Sequence, residues 1–229
     1  MLGMTKYVAA DLSRSVEDYL KVIYQLTEGG IPASTTAIAD ALDLSAPSVS
    51  GMVKRLAEAG LVEHQPYRGV SLTKDGRHGA LRMLRRHRVI ETYLVSHLGY
   101  TWDNVHDVAE KLEHAVSEDL VQRMSFKLGD PQFDPHGDPI PAADGKIIDV
   151  TTTPLPEIPA GENVTISRVD TGVADRLRWL AGAGLVPGVM ITVLDHQPFN
   201  GPVTVSLNGD RRVIGRELAA HLLCARDLG

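Results

Sequence analysis

The chain has one cysteine, Cys224, in 229 residues. A single thiol excludes an internal disulfide framework and any zinc site built on several cysteines. Long apolar runs are also missing. No stretch approaches the roughly 20 residues needed to cross a bilayer, and the opening MLGMTKYVAADLSRS lacks the apolar centre of a secretion signal. No membrane partner and a cytoplasmic location are the expectation. A basic excess is absent too: Lys and Arg number 23 against 29 Asp and Glu, a net charge of -6. Any affinity for nucleic acid must therefore come from a local basic surface, or from a bound cation that offsets the acidic groups. The hydrophobic fraction, 43%, is that of a globular chain with room for one large domain or two to three small ones.

The most informative stretch runs from Trp102 to Phe126, WDNVHDVAEKLEHAVSEDLVQRMSF. Read as one helix, it gathers His106, Glu110, Glu113 and His114 within roughly 100° of arc, at about 100° per residue. Val105, Val108, Leu112, Val116 and Leu120 fall on a different arc, about 120° away. The carboxylates and imidazoles thus form a stripe beside an apolar face. Alone, such a stripe is most often a solvated helix face. A second cluster changes the balance: His87 and Glu91, in RRHRVIETYL, sit four apart on another predicted helix and share a face. Two helices that each offer His and Glu at one-turn spacing can surround a divalent ion. Imidazole with carboxylate suits Mn, Fe or Zn rather than a metal that prefers sulfur.

From the N-terminus, RSVEDYLKVIYQLTE fits an amphipathic helix, capped by Ser13 or Ser15, with Glu17 and Asp18 in its first turn. Gly29, Gly30 and Pro32 break it. A short helix from Thr36 to Leu42, a tight turn, and a second helix from Ser45 to Gly60 then make a helix-turn-helix. LVEHQPYRGVSLTKDG reads as two short strands about a Pro-Tyr-Arg-Gly turn, so the unit is a winged helix. Its second helix exposes Ser45, Ser48, Ser50, Lys54 and Arg55, and the wing offers Tyr67 and Arg68. These are phosphate-bonding groups, while Ser45 and Pro47 can touch base edges or thymine methyls. No Arg or Asn opens the helix to read a purine bidentately, so DNA shape contributes to recognition. Lys54 and Arg55 taken alone would be ordinary solvated charges; the hairpin beside them argues for DNA.

A longer helix, capped by Thr73, reaches about His97. Its Arg82, Arg85, Arg86 and Arg88 either face phosphates or pair with acids. Its Leu81, Leu84, Ile90, Tyr93, Leu94 and Leu98 exceed what a small winged domain needs and, with the 102–126 helix, are expected to form a dimer interface. From Gly129 to Pro159 the chain is rich in Pro, Gly and Asp and reads as a linker, with His136 structural or solvated. Beyond Ala160, NVTISRV, GVMITVLDH and GPVTVSL alternate as strands around one helix, VADRLRWLAGAGL, with a hairpin turn at Asn208-Gly209. The fold class is α+β: a winged helix-turn-helix (1–76), an all-α metal-binding and dimerisation domain (77–129), a linker (130–159) and a small β-barrel (160–229).

VEDYLKVIYQL, LSAPSVSGMVKRLAEAGLV, RRHRVIE, VHDVAEKLEHAVSEDL and PHGDPIP, in that order, resemble the diphtheria toxin repressor family of metal-dependent transcriptional regulators. IPAGENVTISRV with LVPGVMITVL resembles a ferrous-iron-transport-A type domain, a Src-homology-3-like barrel. The resemblance covers nearly the whole chain. It implies one metal site from Asp18, Glu110, Glu113 and His114, and an ancillary site from His87, Glu91 and His106. Some members complete the latter from the barrel, where Asp170 or Asp175 stand here. Iron-responsive members carry Met and Cys at the positions of Asp18 and Glu110. Two carboxylates in their place make the chain similar to the manganese-transport-regulator branch, with Mn²⁺ as cofactor and Fe²⁺ as the alternative. Some of that branch place an acid at the position of Lys21; its absence implies two separated sites. The implied function is repression of metal uptake by a homodimer on a palindromic operator in double-stranded DNA. The competing readings are a di-metal hydrolase or oxidase, for which the chain has no nucleophile motif; a winged-helix regulator of a small organic ligand; and a protein-interaction role for the barrel.

Overall fold

The computed structural model describes residues 12–65 and 68–226. Tyr67, expected at the wing tip, lies outside them. The chain divides into two compact units, residues 1–85 with 141–145, and residues 86–140 with 146–229. No helix among the described residues is long and apolar enough to cross a membrane.

The first unit is built on α1 (Arg14–Thr27). Its buried Tyr19, Leu20, Ile23 and Tyr24 recur at helical spacing and fix the inward face. Ser34 opens α2 (Thr35–Leu42) by accepting a hydrogen bond from the Ala37 N–H at 3.0 Å. Asp43, in the left-handed conformation with φ 51°, closes it. Ser45 then caps α3 (Ala46–Glu58), which buries Val49, Val53 and Leu56. Strands β1 (Val62–Gln65) and β2 (Gly69–Leu72) pair antiparallel, and Ala33 bonds Val70 on β2's other edge through two backbone hydrogen bonds of 2.8 and 2.9 Å. The Thr73 hydroxyl donates to Gly60 O and accepts from Gly76 N–H, anchoring the start of α4 (Lys74–Leu98). This is the winged helix that the sequence predicts.

In the second unit the expected single helix over 102–126 is two. α5 (His106–Leu112) stops at Glu113, and α6 (Glu118–Lys127) restarts one turn later. Ser117 causes the restart: its side chain accepts from the Leu120 N–H, an N-cap that forces extended backbone at that position. The helical core here is Ile90, Leu94, Val105 and Ala109, with Val89, Val121 and Ile140 forming a neighbouring cluster. The expected interface row on α4 is mostly core instead. Leu81, Leu84, Ile90 and Leu94 are buried within the chain, while Leu98 and Phe126 stay open at 60% and 76% exposure. Of the arginine run, Arg85 donates to the Pro141 carbonyl at 2.8 Å, and two others meet acids. Arg86 bonds Glu118, and Arg88 bonds Asp138 and the Pro139 carbonyl.

The segment expected as a linker is structured. Asp134 Oδ1 accepts from the N–H groups of His136 (2.8 Å) and Asp138 (2.9 Å), closing a tight turn. Gly137, at φ +86°, lies where an added Cβ would stand 1.9 Å from Ser167 O. Further on, β3 (Thr153–Pro154) and Leu155 and Ile158 already belong to the C-terminal sheet and its core, so that domain starts before residue 160.

β4 (Asn163–Val169), β5 (Met190–His196), β6 (Val203–Leu207), β7 (Asp210–Ile214) and β8 (Leu222–Arg226) complete an antiparallel sheet of order β3-β8-β4-β5-β6-β7. It is a small Src-homology-3-like sheet, not a closed barrel. Asn208 and Gly209 both take positive φ, as the two-residue hairpin requires. α7 (Ala174–Ala183) ends on Gly184 and contributes Leu177 and Leu180 to the core.

Candidate metal centre

His87 sits on α4 with its ring buried, and both of its nitrogens are engaged. Nδ1 donates to a Glu113 carboxylate oxygen and lies 3.6 Å from Glu110 Oε2. Nε2 lies 3.0 Å from Glu91 Oε1 and 3.1 Å from His106 Nδ1. His106 Nδ1 is in turn 3.2 Å from the same Glu91 oxygen. The four-residue spacing on α4 brings His87 and Glu91 together, and α5 supplies His106 from its first turn. His87, Glu91 and His106 are therefore within reach of one another.

Glu110, Glu113 and His114 converge where α5 ends. One ligand atom from each lies within 4.8 Å of the others. Glu113 has no exposed surface, and His114 Nε2 lies 3.7 Å from its Oε1. A fully buried carboxylate with a second, partly exposed one beside it calls for positive charge. His87 supplies some of it. Burial opposes its ionisation, yet hydrogen bonds and charge from Glu113 and Glu91 push its pKa up to about 9. Asp18 stands half-buried on α1, in the other unit.

A further group lies outside the sequence expectation. Glu91, Asp134 and His136, all buried, place one ligand atom each within 4.8 Å of one another. His136 Nε2–H donates to Trp102 O at 2.8 Å, which leaves Nδ1 facing Glu91 Oε2 at 3.6 Å. A ring nitrogen fixed by a backbone carbonyl, with the other turned toward carboxylates, is how ligating histidines are commonly oriented. Of the structural or solvated roles expected for His136, burial removes the solvated one. Burial tends to raise the Glu91 pKa, but hydrogen bonds from His106, His136 and His87 hold it far below the usual carboxylate range. Burial works against the His136 proton too, and Glu91 and Asp134 overcome it, raising its pKa to about 9. Burial, reinforced by the charges of Asp138 and Glu91, raises Asp134 to about 7. The sequence signal was the turn motif DPHGD: an Asp followed two residues on by a His ahead of a glycine fixes where that imidazole points. The alternative barrel ligands have other partners. Asp170 pairs with Arg168 at 3.4 Å, and Asp175, 89% exposed, pairs with Arg178.

The donors are carboxylate oxygens and imidazole nitrogens, with no sulfur among them. Such a set fits a divalent first-row ion of Mn or Fe type.

On the winged unit, Ser45 Oγ accepts from the Ser48 N–H at 3.4 Å and shares a 2.9 Å bond with Ser48 Oγ. Ser50 donates to Ala46 O at 2.9 Å. Pro47, Lys54, Arg55 and Arg68 are exposed.

Comparison with known proteins agrees with this division of labour. Residues 11–70 match the model "Iron dependent repressor, N-terminal DNA binding domain", residues 73–142 "Iron dependent repressor, metal binding and dimerisation domain", and residues 153–226 "FeoA domain". The iron-dependent repressor IdeR of Mycobacterium tuberculosis is 34% identical over 223 residues, which cover 92% of this chain and 96% of the relative. The chain belongs to the diphtheria toxin repressor family. The diphtheria toxin repressor of Corynebacterium diphtheriae itself is 31% identical over 212 residues, 87% of this chain and 91% of that one. Among solved structures, a manganese-dependent transcriptional repressor in complex with manganese superposes with a TM-score of 0.86 at 40% identity, covering 92% of this chain and 99% of that one. The manganese regulator SloR gives 0.74 at 33% identity, with 93% and 98% covered. The family's members here are transcriptional repressors, not enzymes, so the hydrolase and oxidase readings fall. This chain is a metal-dependent transcriptional repressor whose partners are DNA and a second copy of itself.

Proposed function

We propose that the activating ion is Mn²⁺, with Fe²⁺ as the alternative, and that the metal-loaded dimer represses metal-uptake genes in the cytoplasm by binding a palindromic operator. One observation carries the choice of metal. Glu113, without exposed surface, stands with Glu110 and His114 in a cluster whose grouped donors, among the described residues, are carboxylates and an imidazole. Oxygen and imidazole donors alone favour a hard ion such as Mn²⁺ in ligand type. Fe²⁺ has slightly higher intrinsic affinity for such a set, so availability also enters.

In this reading Asp18 supplies the fourth ligand. Its place on α1, the first helix of the DNA-reading unit, makes it the residue through which a bound ion would tie that unit to the dimerisation helices. Neutralising the acids and favouring the arrangement of two recognition helices that matches the half-site spacing gives the ion its differential effect. His87, Glu91 and His106, with Asp134 and His136 alongside, form the ancillary site. Leu98 and Phe126 mark the face presented to the second copy. Lys54, Arg55 and Arg68 bond phosphates, and Ser45, Pro47, Ser48 and Ser50 meet the groove.

Crystals soaked separately with Mn²⁺ and Fe²⁺ and measured at both absorption edges test the reading. An anomalous peak between Asp18, Glu110, Glu113 and His114 is expected. A peak bonded to none of these four would overturn the assignment.

A further inference from the structure

The outward face of α3 carries a bare strip that the fold itself does not require. Val49, Val53 and Leu56 are buried. On a helix turning about 100° per residue, the direction opposite them falls to Pro47, Gly51, Lys54 and Glu58. All four are exposed. Gly51 is the anomaly among them. It lies inside a 13-residue helix, where glycine is the least favourable residue after proline. Its backbone is not in the left-handed region, and a Cβ built on it meets nothing within 4 Å beyond its chain neighbours and its own helix backbone. Neither conformation nor internal packing asks for a glycine.

Its neighbours deepen the point. Pro47, one turn earlier, offers ring carbons and no donor. The hydroxyls beside the strip spend bonds within the helix: Ser50 donates to Ala46 O, and Ser45 and Ser48 bond each other. The next residue in the row, Lys54, is 80% exposed and brings the first charge. The centre of the face is therefore flat, short and without hydrogen-bonding groups.

We propose that Gly51 is a specificity-determining residue: its missing side chain lets α3 seat close enough in the major groove for the Pro47–Gly51 strip to cover a thymine 5-methyl group. The proposal rests on α3 being the recognition helix. Phosphates need donors, so the strip is no backbone anchor. A guanine or adenine edge placed against it would lose water and gain no bond in return. The thymine methyl is the one apolar group that the four bases show in the major groove.

The test uses the full-length chain with saturating Mn²⁺ and a duplex selected by it from a random-sequence pool. Gly51→Ala is expected to melt no lower than the wild type, because the helix gains a better former. It is expected to bind the selected duplex about tenfold or more weakly, on the scale of one lost base contact, with an unchanged salt slope. Deoxyuridine is then placed at each thymine of the half-site in turn. At one position the wild type is expected to lose a few-fold, and Gly51→Ala to bind as well as the wild type, since the methyl that met the new Cβ is gone. Equal binding of both proteins to the thymine duplex would overturn the proposal. So would an Ala defect that persists with uracil at every position. Failure to select any duplex would instead overturn the reading of α3 on which the proposal stands.

Discussion

His136 Nδ1 lies 3.6 Å from Glu91 Oε2, joining a turn to a helix 45 residues earlier in the chain. The pair matters because the other oxygen of Glu91 faces His87 and His106. One carboxylate thus serves two groups of imidazoles. His136→Ala is expected to weaken Mn²⁺ binding at the ancillary site by about 10–100-fold, the usual scale for losing such a group. Calorimetry of wild type and variant checks this, and the Glu110, Glu113 and His114 site is expected to keep its affinity.

Protons stand where a cation would otherwise balance these acids. His87 and His136 have pKa values raised to about 9, above the ordinary histidine value of about 6.5. Their contribution to folding is therefore fully present below about pH 6.5 and is lost as pH rises through 9. Asp134, raised to about 7, acts in the same direction at lower pH. EDTA-treated protein is expected to melt lower at pH 9 than at pH 7. Mn²⁺ affinity is expected to rise over the same interval, by up to about tenfold per pH unit for each proton displaced.

Glu113→Gln and His114→Ala are expected to abolish metal-stimulated operator binding while leaving the folded state intact, as read by circular dichroism. Glu113→Gln keeps the shape of a fully buried side chain and removes only its charge. A variant that responded to Mn²⁺ as the wild type does would show that the activating ion sits elsewhere.

Lys54→Ala is expected to weaken binding to every duplex alike and to lower the slope of log affinity against log salt by about 1, the signature of one lost phosphate contact. Lys54 reaches Glu58 only at 4.0 Å and is largely exposed, so it is available for DNA.

Much of this architecture was readable from the sequence because it rests on local rules. The winged unit follows from caps at Ser45 and Thr73 and from apolar spacing within each helix. His87 and Glu91 follow from i,i+4 geometry. What escaped was set by contacts distant in the chain or by a single overriding cap. Ser117 splits the 102–126 helix because its side-chain acceptor outcompetes the continuing helical period. Asp134 and His136 looked like loop residues because a Pro/Gly-rich composition hides how the Asp134 turn and Gly137 aim an imidazole at Glu91. Periodicity marks the apolar row of α4 as a buried side without saying which chain buries it.

The most direct test is the operator affinity of the wild-type chain in a mobility-shift titration, with Mn²⁺ and with EDTA. A gain of roughly 10–100-fold with Mn²⁺ is expected, a coupling of about 1–3 kcal/mol. Equal affinity in the two conditions would contradict the proposal that an ion held by Glu110, Glu113, His114 and Asp18 switches DNA binding.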